Sequence, residues 1–297
     1  MNADQNFKPD SFATLFEFSD EIVQFITDTL DEFNTRQIKL FDLPAYQRIF
    51  LFILTRSIKT FSSILVLCRS GYGQDVATLM RSLLENLVTA RYIIHDKSQA
   101  NDFARRFVAY KWVIFKRQLP EQEKGVRYGS AEEKNALLDR KKLILGKVEE
   151  FKHDFHITSD RALITWSGKS VRDMAKKVGP KLLEEYEKTF RLCSRFSHPS
   201  ILGDNEYLIQ NSNQLMFSPQ PSTIGIESNL QSAIEYALEF LLIADELFHL
   251  GKASDIAANK TRCQTTFDSA RATPPSSDTG EQHPPKSIRD SIITFQC

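Results

Sequence analysis

PAYQRIFLFILTRSIKTFSSILVLCRSGYGQD, residues 44–75, decides how the chain folds. Pro44 suits the first turn of a helix, where a missing N–H costs nothing. From there Ile49, Phe50, Phe52, Ile53, Ile58, Phe61, Ile64 and Leu65 lie almost all round the helix axis. That pattern predicts a helix central in a bundle, running to about Ser70. Gly71 and Gly73 break it. A third helix is expected from about Asp75 to His95, and so short a connection makes the two antiparallel neighbours.

Upstream, Asp20 can cap a first helix carrying Ile22, Phe25, Ile26, Leu30 and Phe33 at helical spacing. Downstream, a fourth helix is expected from about Ala100 to Leu119. A charge-laced stretch from Ala131 to Asp154 follows, whose thin apolar stripe reads as a solvated helix on the outside of the bundle. Ser170 and Asp173 form a capping-box-like pair opening a short helix. Gly179 and Pro180 end it and start the next, which stops near His198 because Pro199 disfavours helix before it. Around Asn211-Ser212-Asn213 the segments Tyr207 to Ile209 and Leu215 to Phe217 suit a short hairpin or ordered loop. A last helix is expected from about Glu227 to Leu250.

Beyond Gly251, Pro274-Pro275, Ser276-Ser277 and Pro284-Pro285 read as a disordered tail. The expected fold is all-α: a bundle of about seven helices with a loop or hairpin insert and that tail. Its parts are an N-terminal helical segment (1–43), a bundle core (44–251) and the tail (252–297).

The chain has 297 residues, 41% hydrophobic and 26% charged, the balance of a globular protein with a real core. Its 38 Lys and Arg equal its 38 Asp and Glu. A broadly basic nucleic-acid surface is therefore excluded, and any basic site must be local. Cys68, Cys193, Cys263 and Cys297 form no C-x-x-C pair, which excludes a zinc knuckle or thioredoxin-type motif. Cys68 and Cys193 lie in helical patterns and read as core residues, while Cys263 and Cys297 fall in the tail. A reducing cytoplasm fits this usage. No apolar h-region follows a basic start, and the run Ile49 to Leu54 is too short for a bilayer, which needs about 20 residues. The expectation is a cytoplasmic protein without membrane contact. No glycine-rich phosphate loop, nucleophile elbow or other cofactor motif occurs.

Three constellations can carry chemistry. On the third helix Arg81 and Glu85 sit four apart at the margin of the apolar arc, with salt-bridge spacing. Arg91 and His95 fall inside that arc near the helix end. They form either a polar pocket wall or a last turn reaching water. Next, Arg191, Ser194 and His198 share one side of a helix that ends at Pro199. The helix dipole favours imidazolium at His198 and Arg191 opposes it, a balance that suits an acid or base. Capping of the last carbonyls is the plainer role for the same histidine. Finally, Glu150-x-x-His153 and Glu246-x-x-His249 have the spacing used in di-iron bundles, for which Glu85 can supply a further carboxylate. The charged surroundings of the first pair favour a solvated helix instead, so no metal site is assigned.

Together the segments Arg81-Ser82-Leu83-Leu84-Glu85, Trp166-Ser167-Gly168-Lys169-Ser170 with Met174-Ala175, and Tyr186…Ser194…Ser197-His198-Pro199 resemble a bacterial family of all-helical proteins of unknown function. That family shows R-S-L-x-E, W-x-G-x-S and S-x-x-x-H-P motifs in this order. The resemblance runs from about Phe50 to Leu250 and implies a fold and a shared pocket rather than a reaction.

A more distant resemblance is to the HEPN superfamily, dimeric helical proteins that include metal-independent ribonucleases of toxin and antiphage systems. Arg191 and His198 meet the spacing of its motif, and Leu192 departs from its usual polar residue. The resemblance implies that Arg191 holds the scissile phosphate and His198 moves a proton during attack by the ribose 2′-OH. Arg81 and Glu85 would organise the pocket of a homodimer acting on RNA beside an antitoxin or defence partner. The alternative is a non-catalytic helical module binding a small ligand or protein partner through Arg81, Glu85 and His198.

Overall fold

In a computed structural model, residues 9–126, 129–159, 163–197, 208–211, 214–217 and 221–272 are described. The fold is an all-α bundle with one small hairpin. In chain order the helices are α1 (Ala13–Thr35), α2 (Ala45–Arg69), α3 (Ala77–Ile94), α4 (Ala100–Ala109), α5 (Lys111–Val126) and α6 (Ala131–Asp154). They continue with α7 (Val171–Val178), α8 (Pro180–Ser197), α9 (Ile226–Phe248) and α10 (Ala253–Ala272). β1 (Leu208–Asn211) pairs antiparallel with β2 (Gln214–Phe217), Leu208 opposite Phe217. This is the hairpin expected around the Asn-Ser-Asn turn.

The helix buried on nearly every side is α9, not α2. Ile226, Leu230, Ala233, Ile234, Tyr236, Leu238, Phe240, Leu241 and Ile243 are all inside. The reason is positional: α1, α2, α3 and α10 all pack on α9. α2 packs on α3, α4 and α9, yet keeps Phe52, Thr55, Arg56, Lys59, Ser62, Ser63 and Val66 exposed. Its exposed hydroxyls are satisfied along the helix, Thr55 and Ser63 donating to the carbonyls four residues earlier. Among the described residues α2 alone is long and apolar enough, by length and composition, to cross a membrane. That exceeds the short run judged from the sequence.

The α2–α3 turn is fixed by α9. Gly71 takes a positive φ of 82°, and Gly73 lies against the backbone at the start of α9. The Asn229 side chain donates to the Gly73 carbonyl at 2.8 Å.

Three expectations need correction. α1 starts at Ala13, and Asp20 pairs with Arg69 of α2 at 2.5 Å instead of capping. The helix expected over 100–119 divides at Tyr110, whose hydroxyl lies 2.8 and 2.7 Å from the Leu163 and Ile164 carbonyls. The presumed tail includes a helix. α10 buries Ile256, Cys263 and Phe267 against α9 and α1, so the bundle extends past Gly251 to Ala272. Residues 273–297, including Cys297 and the proline pairs, lie outside the described residues. Cys68, Cys193 and Cys263 are buried and none is in a disulfide; burial pushes them up to about 12, 11 and 12 respectively, which keeps them protonated.

Candidate functional site

α3 organises the polar interior because its two margins face different neighbours. On one, the Arg81 guanidinium donates to Glu85 at 2.9 Å and lies 4.5 Å above the Phe190 ring of α8. Phe190 stacks on Tyr186. Burial pushes the Tyr186 hydroxyl up, and the nearby Glu85 carboxylate adds to this. So the Arg81/Glu85 face does meet the helix carrying Arg191. Arg191 itself points to solvent, however, and does not join Arg81. The Ser194 side chain and all of His198 lie outside the described residues.

Below Glu85 opens a cavity of about 280 Å³. Ser82, Glu85, Asn86 and Thr89 of α3 form one wall, and Thr165, Trp166 and Lys169 form another. Phe52 and Arg56 of α2, Phe107 of α4, and Val171 and Met174 around α7 complete it. Local structure explains why the Trp166 segment sits here. Arg117 and Tyr110 grip the Leu163 carbonyl, delivering the following turn to the bundle. Gly168 takes φ +70°, and the Thr165 hydroxyl donates to the Lys169 carbonyl at 2.8 Å. Ser170 then caps α7, accepting from the Asp173 N–H at 3.1 Å. The Trp166 ring meets Phe107 and Tyr92 edge-on, with centroids 5.3 and 5.8 Å away. Thus R-S-L-x-E and W-x-G-x-S, remote in sequence, bound one space.

Two features of this cavity escaped sequence reading. The Asn86 Nδ2 is buried with no hydrogen-bond partner among the described residues. Arg56 stands on the exposed side of α2 beside Thr55 and Lys59, where no local pattern marked it out.

The other margin of α3 carries Arg91, which turns to α9. It donates to both Glu246 oxygens, at 3.0 and 2.9 Å, and to Glu239 at 3.0 Å. Lys260 of α10 reaches the same Glu239 at 2.6 Å. His95 goes elsewhere: its ring stacks with Tyr92 and Phe103, and Nδ1 is 2.6 Å from the Tyr92 carbonyl oxygen. Arg91 and His95 therefore do not form one pocket wall, because α9 offers carboxylates to one and α4 offers a ring to the other.

Arg91 lines a second cavity of about 450 Å³ with Glu185, Glu235, Tyr236 and Glu239. The Tyr236 and Thr189 hydroxyls are bonded at 2.6 Å, and burial pushes Tyr236 strongly up. Burial also pushes the Glu235 carboxyl up, opposed by the Gln231 amide and reinforced by Glu185. Burial acts the same way on Glu239, but its bonds to Lys260 and Arg91 more than offset it and hold Glu239 below its ordinary value.

These shifts have opposite consequences for pH. Glu239 adds stability above the unfolded carboxyl value of 4.5, and this is lost as pH falls through its lower folded value. Glu235 is the reverse: its contribution is fully present below 4.5 and is lost as pH rises through its raised folded value, so the ionised carboxylate is the unfavourable form in the fold. Glu235→Gln is therefore expected to raise Tm at pH 7 and leave it nearly unchanged near pH 4. Thermal melts at the two pH values check this, and an equal shift at both refutes it.

The Glu-x-x-His pairs do not converge. Glu150 pairs with Lys147, His153 is exposed, Glu246 is bound to Arg91 and Glu85 to Arg81. Among the described residues no group of three or more metal-ligating side chains gathers.

A model described as "Family of unknown function (DUF5677)" matches residues 47–215. No curated protein matches the chain, and no solved structure does. Every residue lining the smaller cavity lies inside the matched stretch, whereas Glu235, Tyr236, Glu239 and Lys260 of the larger one lie outside it.

Proposed function

The chain belongs to this family of unknown function, and from its own residues we propose that it is a non-catalytic helical module that binds a small ligand in the cavity between α2, α3, α4 and the Trp166 turn. One observation carries the reading. The R-S-L-x-E and W-x-G-x-S segments form walls of the same space, and all of that space lies within the family match. Small-ligand sites are concave, mostly apolar and furnished with a few placed polar groups. This cavity offers three aromatic rings together with Ser82, Asn86 and Thr89.

The test is a fragment screen by ligand-observed NMR against the wild type and Thr89→Trp, which fills the space. Ser82→Phe is a second filled variant should the first not fold. Hits that vanish in a folded filled variant support the reading. A screen with no cavity-dependent hit overturns it.

A second reading, a HEPN-like ribonuclease, is favoured by one observation: Arg191 is exposed and has no ionic partner among the described residues, as a phosphate-holding arginine requires. On this reading the wild type cleaves RNA, and Arg191→Ala or His198→Ala abolishes cleavage without lowering Tm. A wild type that leaves RNA intact at every salt concentration removes it.

A further inference from the structure

We propose that the ligand of the smaller cavity is a small anion attached to a planar ring, an aromatic carboxylate or phosphate. The inference rests on the reading of that cavity as the ligand site.

The charge of the lining points to an anion. Arg56 and Lys169 enter from different walls, and the side chain of neither has an ionic partner among the described residues. The one carboxylate in the lining, Glu85, is already held by Arg81 at 2.9 Å. Two cations are therefore left for whatever occupies the space, and a cation there is most strongly satisfied by an ionised acceptor.

The neutral lining adds donors. The Ser82 and Thr89 hydroxyls border the cavity and can each donate to an acceptor. The Asn86 side chain lines it too, with its Nδ2 shielded from the open space and unpaired among the described residues, so turning that amide toward a bound acceptor satisfies it.

The remaining lining selects a ring. Trp166, Phe107 and Phe52 all border the cavity. Trp166 is held edge-on by Phe107 and Tyr92, so it is fixed before a ligand arrives. A prearranged aromatic surface accepts a flat ring with little loss of side-chain freedom. The volume of about 280 Å³ accommodates one ring system and its acidic group.

The probes are indole-3-acetate and phenyl phosphate as anions, indole-3-acetamide as the neutral analogue, and tryptamine as the cation. Binding of each to the full chain is measured by titration calorimetry at low and high salt. The anions are expected to bind roughly tenfold more tightly than the amide, as one charge-assisted contact provides. That preference should shrink with salt, because Arg56 and Lys169 are exposed. Arg56→Gln with Lys169→Gln should erase it while leaving Tm unchanged. Comparison of the two anions tells carboxylate from phosphate.

Amide or amine binding that equals or exceeds the anions, and is lost in Thr89→Trp, overturns the charge assignment and leaves the cavity as the site. Probe binding that survives in folded Thr89→Trp overturns the site itself. No binding of any probe to the wild type overturns the ligand class proposed here, while the fragment screen independently decides on the cavity.

Discussion

Phe267→Ala is expected to cost about 3–5 kcal/mol of folding stability, the range for truncating a fully buried aromatic. Phe267 is 0% exposed, although only a short stretch of α10 separates it from Pro274. It continues a line from Ile256 through Lys260 and Cys263, one side of α10. The apolar members face α9 and α1, and Lys260 bonds Glu239. Further ties flank this stripe: Arg262 with Glu21 at 2.5 Å, Arg271 with Glu227 at 2.5 Å, and Lys252 with Glu32 at 2.8 Å. These exposed pairs contribute little each, so the ring dominates. Chemical denaturation followed by circular dichroism measures the loss. A change below about 0.5 kcal/mol, the usual range for a surface site, refutes the docking of α10.

Gly73→Ala is expected to cost about 3 kcal/mol, near the upper end for inserting a methyl group into packed surroundings. A Cβ there would stand 2.5 Å from the Ile226 nitrogen and 2.6 Å from the Ile224 oxygen. Both are backbone atoms, which cannot swing aside as a side chain can. Relief requires parting the α2–α3 turn from α9, which strains the buried bond from Asn229 to the Gly73 carbonyl. At a few degrees per kcal/mol, Tm should fall by roughly 5–10 °C. Gly146→Ala is the control: it lies inside α6 with nothing within 4 Å of its Cβ. Replacing a helical glycine by alanine in open space should stabilise by about 0.5–1 kcal/mol. Equal melts for Gly73→Ala and the wild type refute the contact.

Local chemistry was readable wherever one residue dictates a backbone event. Pro44 opens α2, Gly71 closes it with a positive φ, Ser170 caps α7, and Pro180 begins α8. What depends on distant partners was not readable. The apolar girth of α2 suggested a central helix, but α1, α2, α3 and α10 close on α9 from all round, whereas one side of α2 stays open to solvent. α10 was hidden because three buried residues in a polar twenty do not move an average composition.

The site follows the same rule. Arg81 with Glu85 was legible as an i,i+4 pair, and Ser170 as the cap that follows the Trp166 segment. Their shared cavity was not, since Phe52, Arg56 and Phe107 reach it from helices whose crossing no local pattern encodes. Arg91 stood out as an unusual charge in an apolar arc, but its partners Glu239 and Glu246 lie roughly 150 positions away.

The position of α9 bears on how the protein is made. A ribosome releases α2 and α3 long before it reaches α9, at about 5–20 residues per second a delay of roughly 8–30 s. Through that interval the trough that α9 will fill is open to water, and the turn at Gly73 has nothing to lean on. The nascent chain therefore keeps apolar surface of α2 and α3 uncovered until α9 emerges, and slower translation lengthens that exposure.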